Sequence, residues 1–270
     1  MFTFIQNKRN YSIERFVFTK RINEIYSKST IINIWNTYEQ CFKNIFSITY
    51  ENNTLLSNLE KSEDEILACI LSKTYKYEIK RAMKESIVID FFESSFISDN
   101  KNCLTDLHKV YINSCIIGNH PEIINNFDFE KLECCIKQNA VTISVAYFGN
   151  GKVFHIYLHD LTTALLLHSV SDFRNEGIDR NLAGRANKLL HYKSMLFFKK
   201  KGITTYDWGG IRNYEHPNGI DEFKISFGGK PTKTYNIFIG NTLWGKALIT
   251  LMMGKELLKK RVAKKVSNYK

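Results

Sequence analysis

Apolar positions along this chain change their period about halfway. In the first half they recur at helical spacing. Ser62-Glu63-Asp64-Glu65 has the form of a capping box, and it opens a run in which Ile66, Ile70, Tyr77 and Ile79 suit one helix face. The segment from Ile31 to Phe46 also reads as helical. Beyond residue 140 the period shortens to two. VTISVAYF and KVFHIYLH flank Gly149-Asn150-Gly151 and predict a β-hairpin, and the apolar run Ala164 to Val170 predicts a buried strand. Helical spacing returns after Asn181 with Leu189, Leu190, Met195, Leu196 and Phe197, until Lys199, Lys200 and Lys201 crowd the far end and Gly202 stops the run. Ile203 to Trp208 is β-branched and aromatic, a strand stopped by Gly209-Gly210. IDEFKISFGG (220–229) reads as a loop delivering Phe223-Lys224 before another glycine pair, and Thr234 to Ile239 predicts the last strand. Strand, strand, strand, helix, strand, loop and strand is an α+β order.

Glycine sharpens the division. Of 14 glycines, 13 lie at or beyond Gly149 and the first 117 residues hold none, so the two halves are built differently. With 270 residues and 44% apolar content the chain can fill one large or two small domains. A net charge of +11 points to anionic company such as phosphates, nucleotides, RNA or an anionic membrane face. Cys41, Cys69, Cys103, Cys115, Cys134 and Cys135 form no CxxC pair, which argues against zinc and a disulfide framework. His155 and His159 sit on one face of an alternating segment, a packed or solvated pair rather than metal ligands; no metal is expected. The first residues lack an uninterrupted apolar stretch, so no signal peptide is expected and the cytoplasm is the expected location.

Three features bear on anion binding. The small-residue start of the helix at Asn181-Leu-Ala-Gly184-Arg185-Ala186 leaves backbone N–H groups for a phosphate. Lys73, Lys76, Lys80 and Lys84 make one basic stripe, either a solvated face or an anion site. Residues 243–270 form a basic amphipathic tail, apolar at first and ending in Lys259, Lys260, Arg261, Lys264 and Lys265. Its dozen apolar positions are too few to span a bilayer, which needs about 20; packing on the domain and lying on an anionic membrane are both open to it.

The succession GRANKLLHYKSM, KKGITTYDWGGI and GIDEFKISFGG resembles the Fem-type peptidoglycan aminoacyltransferases, within the superfamily of Gcn5-related N-acyltransferases. LSKTYKYEIKRAMKESI (Leu71 to Ile87) is similar to the basic helix of their N-terminal half, and Ser169 to Arg174 resembles the strand end before their Gly-containing helix. The resemblance implies a mixed central sheet in which two neighbouring strands splay to admit the acyl carrier, here after Ser169 and Asp207. It also implies a second, degenerate copy in the N-terminal half, hence subdomains at 1–125 and 126–242 before the tail. The superfamily's pyrophosphate loop opens with Gln or Arg; here Asn181 stands first, with Gly184 and Ala186 in place. Asn181, Gly184, Arg185, Ala186 and Ser169 are the implied cofactor-binding residues, with Ser171, Arg174 and Arg212 on the substrate.

Amine attack on an ester or thioester needs a cradle for the oxyanion and a route for protons. Since no Ser-His-Asp order or Cys-His pairing stands out, direct transfer is expected. The resemblance assigns Lys224, after Phe223, to the developing negative charge. Asp207 and Tyr206 either position the acceptor amine or end a strand, Asp207 capping the Gly-Gly turn. The expectation is an N-acyltransferase acting on an amino group of an anionic or lipid-linked cell-envelope precursor, with acyl-CoA as co-substrate and no permanently bound cofactor. The alternatives are an aminoacyl-tRNA donor, with tRNA as partner, and a non-catalytic module binding anionic glycan or RNA.

Overall fold

A computed structural model describes residues 1–19, 22, 25–39, 45–100, 102–118, 124 and 127–267, the last eleven of these as helical backbone alone. The chain divides into two compact units: Met1–Asn52 with Lys233–Lys270, and Asn53–Thr232. This differs from the expected boundaries at 125 and 242, because both chain ends share one unit and the stretch between them forms the other.

The first unit contains strands β1 (Phe2–Lys8), β2 (Tyr11–Val17) and β3 (Ile31–Thr37). β1 and β2 form an antiparallel hairpin, while β2 and β3 run parallel. β4 (Ser47–Asn58) carries the chain into the second unit, and β10 (Lys230–Gly240) brings it back to pair antiparallel with β3. Residues 31–37 are thus a strand, not the start of a helix. Every position of β3 is buried or nearly so, and an apolar run covered on both faces has no period to betray its type. Of the remainder of that helical reading, residues 38, 39, 45 and 46 are not helical and residues 40–44 lie outside the described residues. The tail is the helix α8 (Leu243–Ser267), which lays Leu248, Ile249, Met252 and Met253 on Ile13 and Ile31.

In the second unit, α1 (Glu63–Ala68) starts at the expected capping box, with Ser62 and Glu65 bonded reciprocally. The run then breaks. Leu71 and Ser72 donate their N–H groups to Ser226, and Ser72 caps a separate helix, α2 (Lys73–Ala82). Lys73, Lys80 and Lys84 are exposed, and Lys76 reaches the Ala68 carbonyl. β5 (Ile87–Glu93), α3 (Ser94–Asp99), α4 (Asn102–Ile117) and α5 (Phe129–Lys137) lead to the expected hairpin, β6 (Val141–Phe148) and β7 (Gly151–His159). β8 (Thr163–Ser171), α6 (Arg180–Lys200), β9 (Thr205–Ile211) and α7 (Gly219–Ser226) complete the unit. The strand order is β4-β9-β8-β7-β6-β5, antiparallel except for β8 beside β9. α6 packs Leu189, Met195, Leu196 and Phe198 into a core with Trp208, Tyr206, Ile79 and Phe227.

Two expectations change here. Gly209 and Gly210 do not stop β9 but lie inside it, at a bulge where Trp208 and Gly209 of β9 face the single residue Leu55 of β4. The segment bearing Lys224 is a helix rather than a loop, because Asn218 and Asp221 form a second capping box. The fold is α+β with a large mixed sheet, as the element order implied. Cys69, Cys103, Cys115, Cys134 and Cys135 form no disulfide, and Cys41 lies outside the described residues.

Candidate functional site

β8 and β9 pair over only three rungs, Thr163 with Thr205, Ala164 with Tyr206 and Leu165 with Asp207. β8 then continues to Ser171 and β9 to Ile211 without further rungs between them, Gly209 still lying against Leu166. Asp207 fixes the last rung. Its fully buried carboxylate accepts from Gly209 N–H at 2.9 Å and from the Thr54 hydroxyl. Gly209 has φ +69°, and a Cβ there would sit 2.5 Å from the Leu166 carbonyl oxygen, so no other residue fits the bend.

A cavity of about 400 Å³ lies against the end of β8, lined also by α6 and α7. From α6 come Arg180, Gly184, Asn187 and His191, spaced i, i+4, i+7 and i+11 along one helix face. From β8 and the residues after it come Ser169, Ser171 and Arg174, and from α7 come Phe223 and Lys224. No carboxylate lines the space, whereas Arg174, Arg180, Lys188 and Lys224 do. Lys188 is matched by Glu78 at 3.0 Å.

Lys224 is half-buried and donates from Nζ to the Gly210 carbonyl at 2.8 Å. Desolvation brings its pKa down to about 8, against the opposing fields of Asp221 and Asp207. Phe223 packs on His191 and Phe227, with ring centroids at 5.4 and 5.3 Å. Beneath this floor runs a chain of buried polar groups. Asn187 Oδ1 meets His155 Nε2 at 2.9 Å, His155 Nδ1 meets the Tyr157 hydroxyl at 3.0 Å, Tyr157 meets Tyr206 at 3.0 Å, and Tyr206 meets His191 Nδ1 at 3.0 Å. Both ends of the chain, Asn187 and His191, line the cavity. Burial lowers the pKa of His155 to about 4 and that of His191 well below the usual imidazole value, His191 further depressed by His155 and Lys224. The Tyr206 hydroxyl is pushed well above its ordinary value by burial.

The structure therefore brings together Ser169, Ser171, Arg174, Gly184, Phe223 and Lys224 of the residues singled out in the sequence. Tyr206 and Asp207 lie one layer below, fully buried and outside the cavity wall. Four others are elsewhere. Arg185 makes a two-pronged ion pair with Glu85, both contacts at 2.8 Å. Ala186 packs against Ala146, Phe148 and Val153. Asn181 is exposed at the start of α6, and Arg212 is an exposed residue whose N–H donates to Asp221. The start of α6 is already capped: the Asp179 carboxylate accepts from Asn181 and Leu182 N–H at 2.8 and 3.1 Å. Those are two of the N–H groups that the expected phosphate would use. The residues missed were Asn187 and His191; their spacing from Gly184 was the available signal. His155 and His159 are packed residues, the latter bonded to Thr142 at 3.0 Å, and no three potential ligands cluster for a metal among the described residues.

No family model matches the sequence, and no curated protein matches it. Solved structures do. The C-terminal domain of a putative lysylphosphatidylglycerol synthetase from Agrobacterium fabrum aligns over 81% of this chain and 70% of its own, with TM-score 0.51 and 11% identity. FemX aligns over 73% of this chain with TM-score 0.54 and 12% identity; the match spans 63% of FemX, less than two thirds of its length. At such identities the likeness concerns the fold alone.

Proposed function

We propose that this chain is a transferase that moves an acyl group directly onto an amine of an anionic cell-envelope precursor, in the cavity against the end of β8. The observation that carries the reading is Lys224, a half-buried ammonium held in a cavity that no carboxylate lines. Placed there, it meets the negative charge that grows on a carbonyl oxygen when an amine adds to it. Ser114, Ser169 and Ser171 line the cavity, but none is bonded to a histidine among the described residues, and no cysteine lines it, which favours transfer without a covalent enzyme intermediate. Arg174 and Arg180 supply the charge that an anionic precursor would meet. A putative lysylphosphatidylglycerol synthetase and FemX share the fold and accord with an envelope acceptor.

Acyl-CoA is one donor. The Asp179 cap favours a second, aminoacyl-tRNA, since two of the N–H groups a pyrophosphate would use are already given to that carboxylate. Purified protein incubated with isotopically labelled acyl-CoA or aminoacyl-tRNA, and with amino-sugar nucleotides or lipid-linked precursors as acceptors, decides between them. The expected result is an amide product by mass spectrometry. RNase sensitivity would mark the tRNA donor. Binding of anionic glycan or RNA with no product from either donor would overturn the transferase reading in favour of a binding module.

A further inference from the structure

The buried polar chain has a direction. The Asn187 amide is placed with its oxygen on His155 Nε2, and in that placement the oxygen accepts and Nε2 carries a proton. A neutral imidazole then leaves His155 Nδ1 as acceptor, and the Tyr157 hydroxyl donates to it. Tyr157 has used its proton and accepts from the Tyr206 hydroxyl. Tyr206 in turn accepts, and the donor left for it is His191 Nδ1–H. Each proton is used once, and the remaining lone pair falls on His191 Nε2, on a residue that lines the cavity beside Phe223 and Lys224. Nε2 has no hydrogen-bond partner among the described residues. The imidazole is held from several sides, stacked on His155 at 4.0 Å and packed on Trp208 and Phe227 with centroids at 4.9 and 5.5 Å.

Resting on the transferase reading, we propose that His191 Nε2 is the general base of this site, and that Tyr206, Tyr157, His155 and Asn187 are positioning residues that fix its tautomer. The amine nitrogen forms its bond to the acyl carbon, and the carbonyl π pair moves to oxygen as an oxyanion beside Lys224. The proton shed by the new C–N⁺ centre passes to His191 Nε2. When the oxyanion collapses, the bond to the leaving sulfur or oxygen breaks, and the leaving group takes that proton back. The enzyme ends as it began, and no oxidant or further reactant is needed. The cavity wall has no carboxylate, and its one imidazole is His191, a residue 1% exposed. Tyr206, read from the sequence as positioning the acceptor amine or ending a strand, acts here through His191.

Two measurements test the proposal. Long-range ¹H–¹⁵N NMR of the full-length protein should show His191 neutral with the proton on Nδ1, and Tyr206→Phe should lose that single tautomer. A proton on Nε2 in the wild type overturns the proposal whatever the activity. In the transfer assay His191→Asn, which keeps an amide donor towards Tyr206 but lacks the base, should lower kcat by about 100-fold or more. Its unfolding midpoint reports whether it folds; if it does not, the wild-type tautomer decides. Absence of transfer by the wild type overturns the reading of the site and takes the base with it. Transfer by the wild type and by folded His191→Asn within threefold of each other overturns the base alone.

Discussion

At the scale of single residues, Lys224 has the most specific expected behaviour. Its pKa of about 8 means that the ammonium charge disappears as the pH rises through that value. If that charge stabilises the oxyanion, kcat falls along an alkaline limb near pH 8. Lys224→Arg, where it retains activity, removes the limb, since guanidinium stays charged. Lys224→Met removes nearly all transfer while the fold survives, because the fold loses one charged hydrogen bond to Gly210, a net effect of about 2 kcal/mol. The linkage has a sign. An unfolded lysine binds its proton up to its ordinary pKa of 10.5, so between about 8 and 10.5 the unfolded chain holds more protons than the folded one. Stability therefore gains from this group as the pH rises through that window, and Lys224→Met flattens the gain. Chemical denaturation and transfer rate measured from pH 7 to 10.5 check both statements; a rate still rising through pH 9 in the wild type would take Lys224 out of the charge-stabilising role.

At the scale of elements, α6 was legible as a helix in the sequence but its faces were not. Gly184 and Arg185 are neighbours in the chain, yet one lines the cavity and the other turns away to Glu85. They should respond in opposite ways. A side chain at Gly184 first meets Lys188 Nζ at 3.7 Å, so Gly184→Val folds, gains a few tenths of a kcal/mol in helix propensity, and narrows the cavity. Arg185→Ala leaves substrate binding unchanged and costs about 2 kcal/mol of stability by removing charged hydrogen bonds to Glu85. Binding titrations and melting curves of the two variants should therefore separate; equal binding losses would place Arg185 at the site after all. The β6–β7 hairpin, β8 and the α1 capping box were readable because each rests on local signals, a two-residue turn, an apolar run, a reciprocal cap. The errors arose where a distant partner decides. Residues 31–37 are a strand because neighbours cover both faces. α1 and α2 are separate because Leu71 and Ser72 bond to Ser226, far along the chain. The His191 relay draws on β7, α6 and β9, so no local window contains it.

At the scale of the whole molecule, the net charge of +11 and the helix α8 bear on where the protein works. No helix among the described residues is long and apolar enough to cross a membrane. α8 has two apolar faces: Leu248, Ile249, Met252 and Met253 cover Ile13 and Ile31, while Leu243, Trp244 and Leu251 are 86%, 53% and 63% exposed. The first face answers the expectation that the tail packs on its own unit. The second, followed in sequence by Lys259, Lys260, Arg261, Lys264 and Lys265, suits an anionic bilayer surface where a lipid-linked acceptor would reside. Removing the helix is a poor test, because truncation after Gly240 would uncover Ile13 and Ile31. Substitution is cleaner. Full-length protein should float with anionic vesicles at low salt and release at high salt, since each basic residue near the surface contributes about 1 kcal/mol and salt screens it. Replacing the five basic residues with Gln should abolish flotation, and Trp244→Ala should weaken whatever attachment survives high salt. Neutral vesicles should recover little protein. If the full-length chain stays unbound to anionic vesicles at low salt, the helix serves only to close the first unit, and a soluble nucleotide-linked amine becomes the acceptor to pursue.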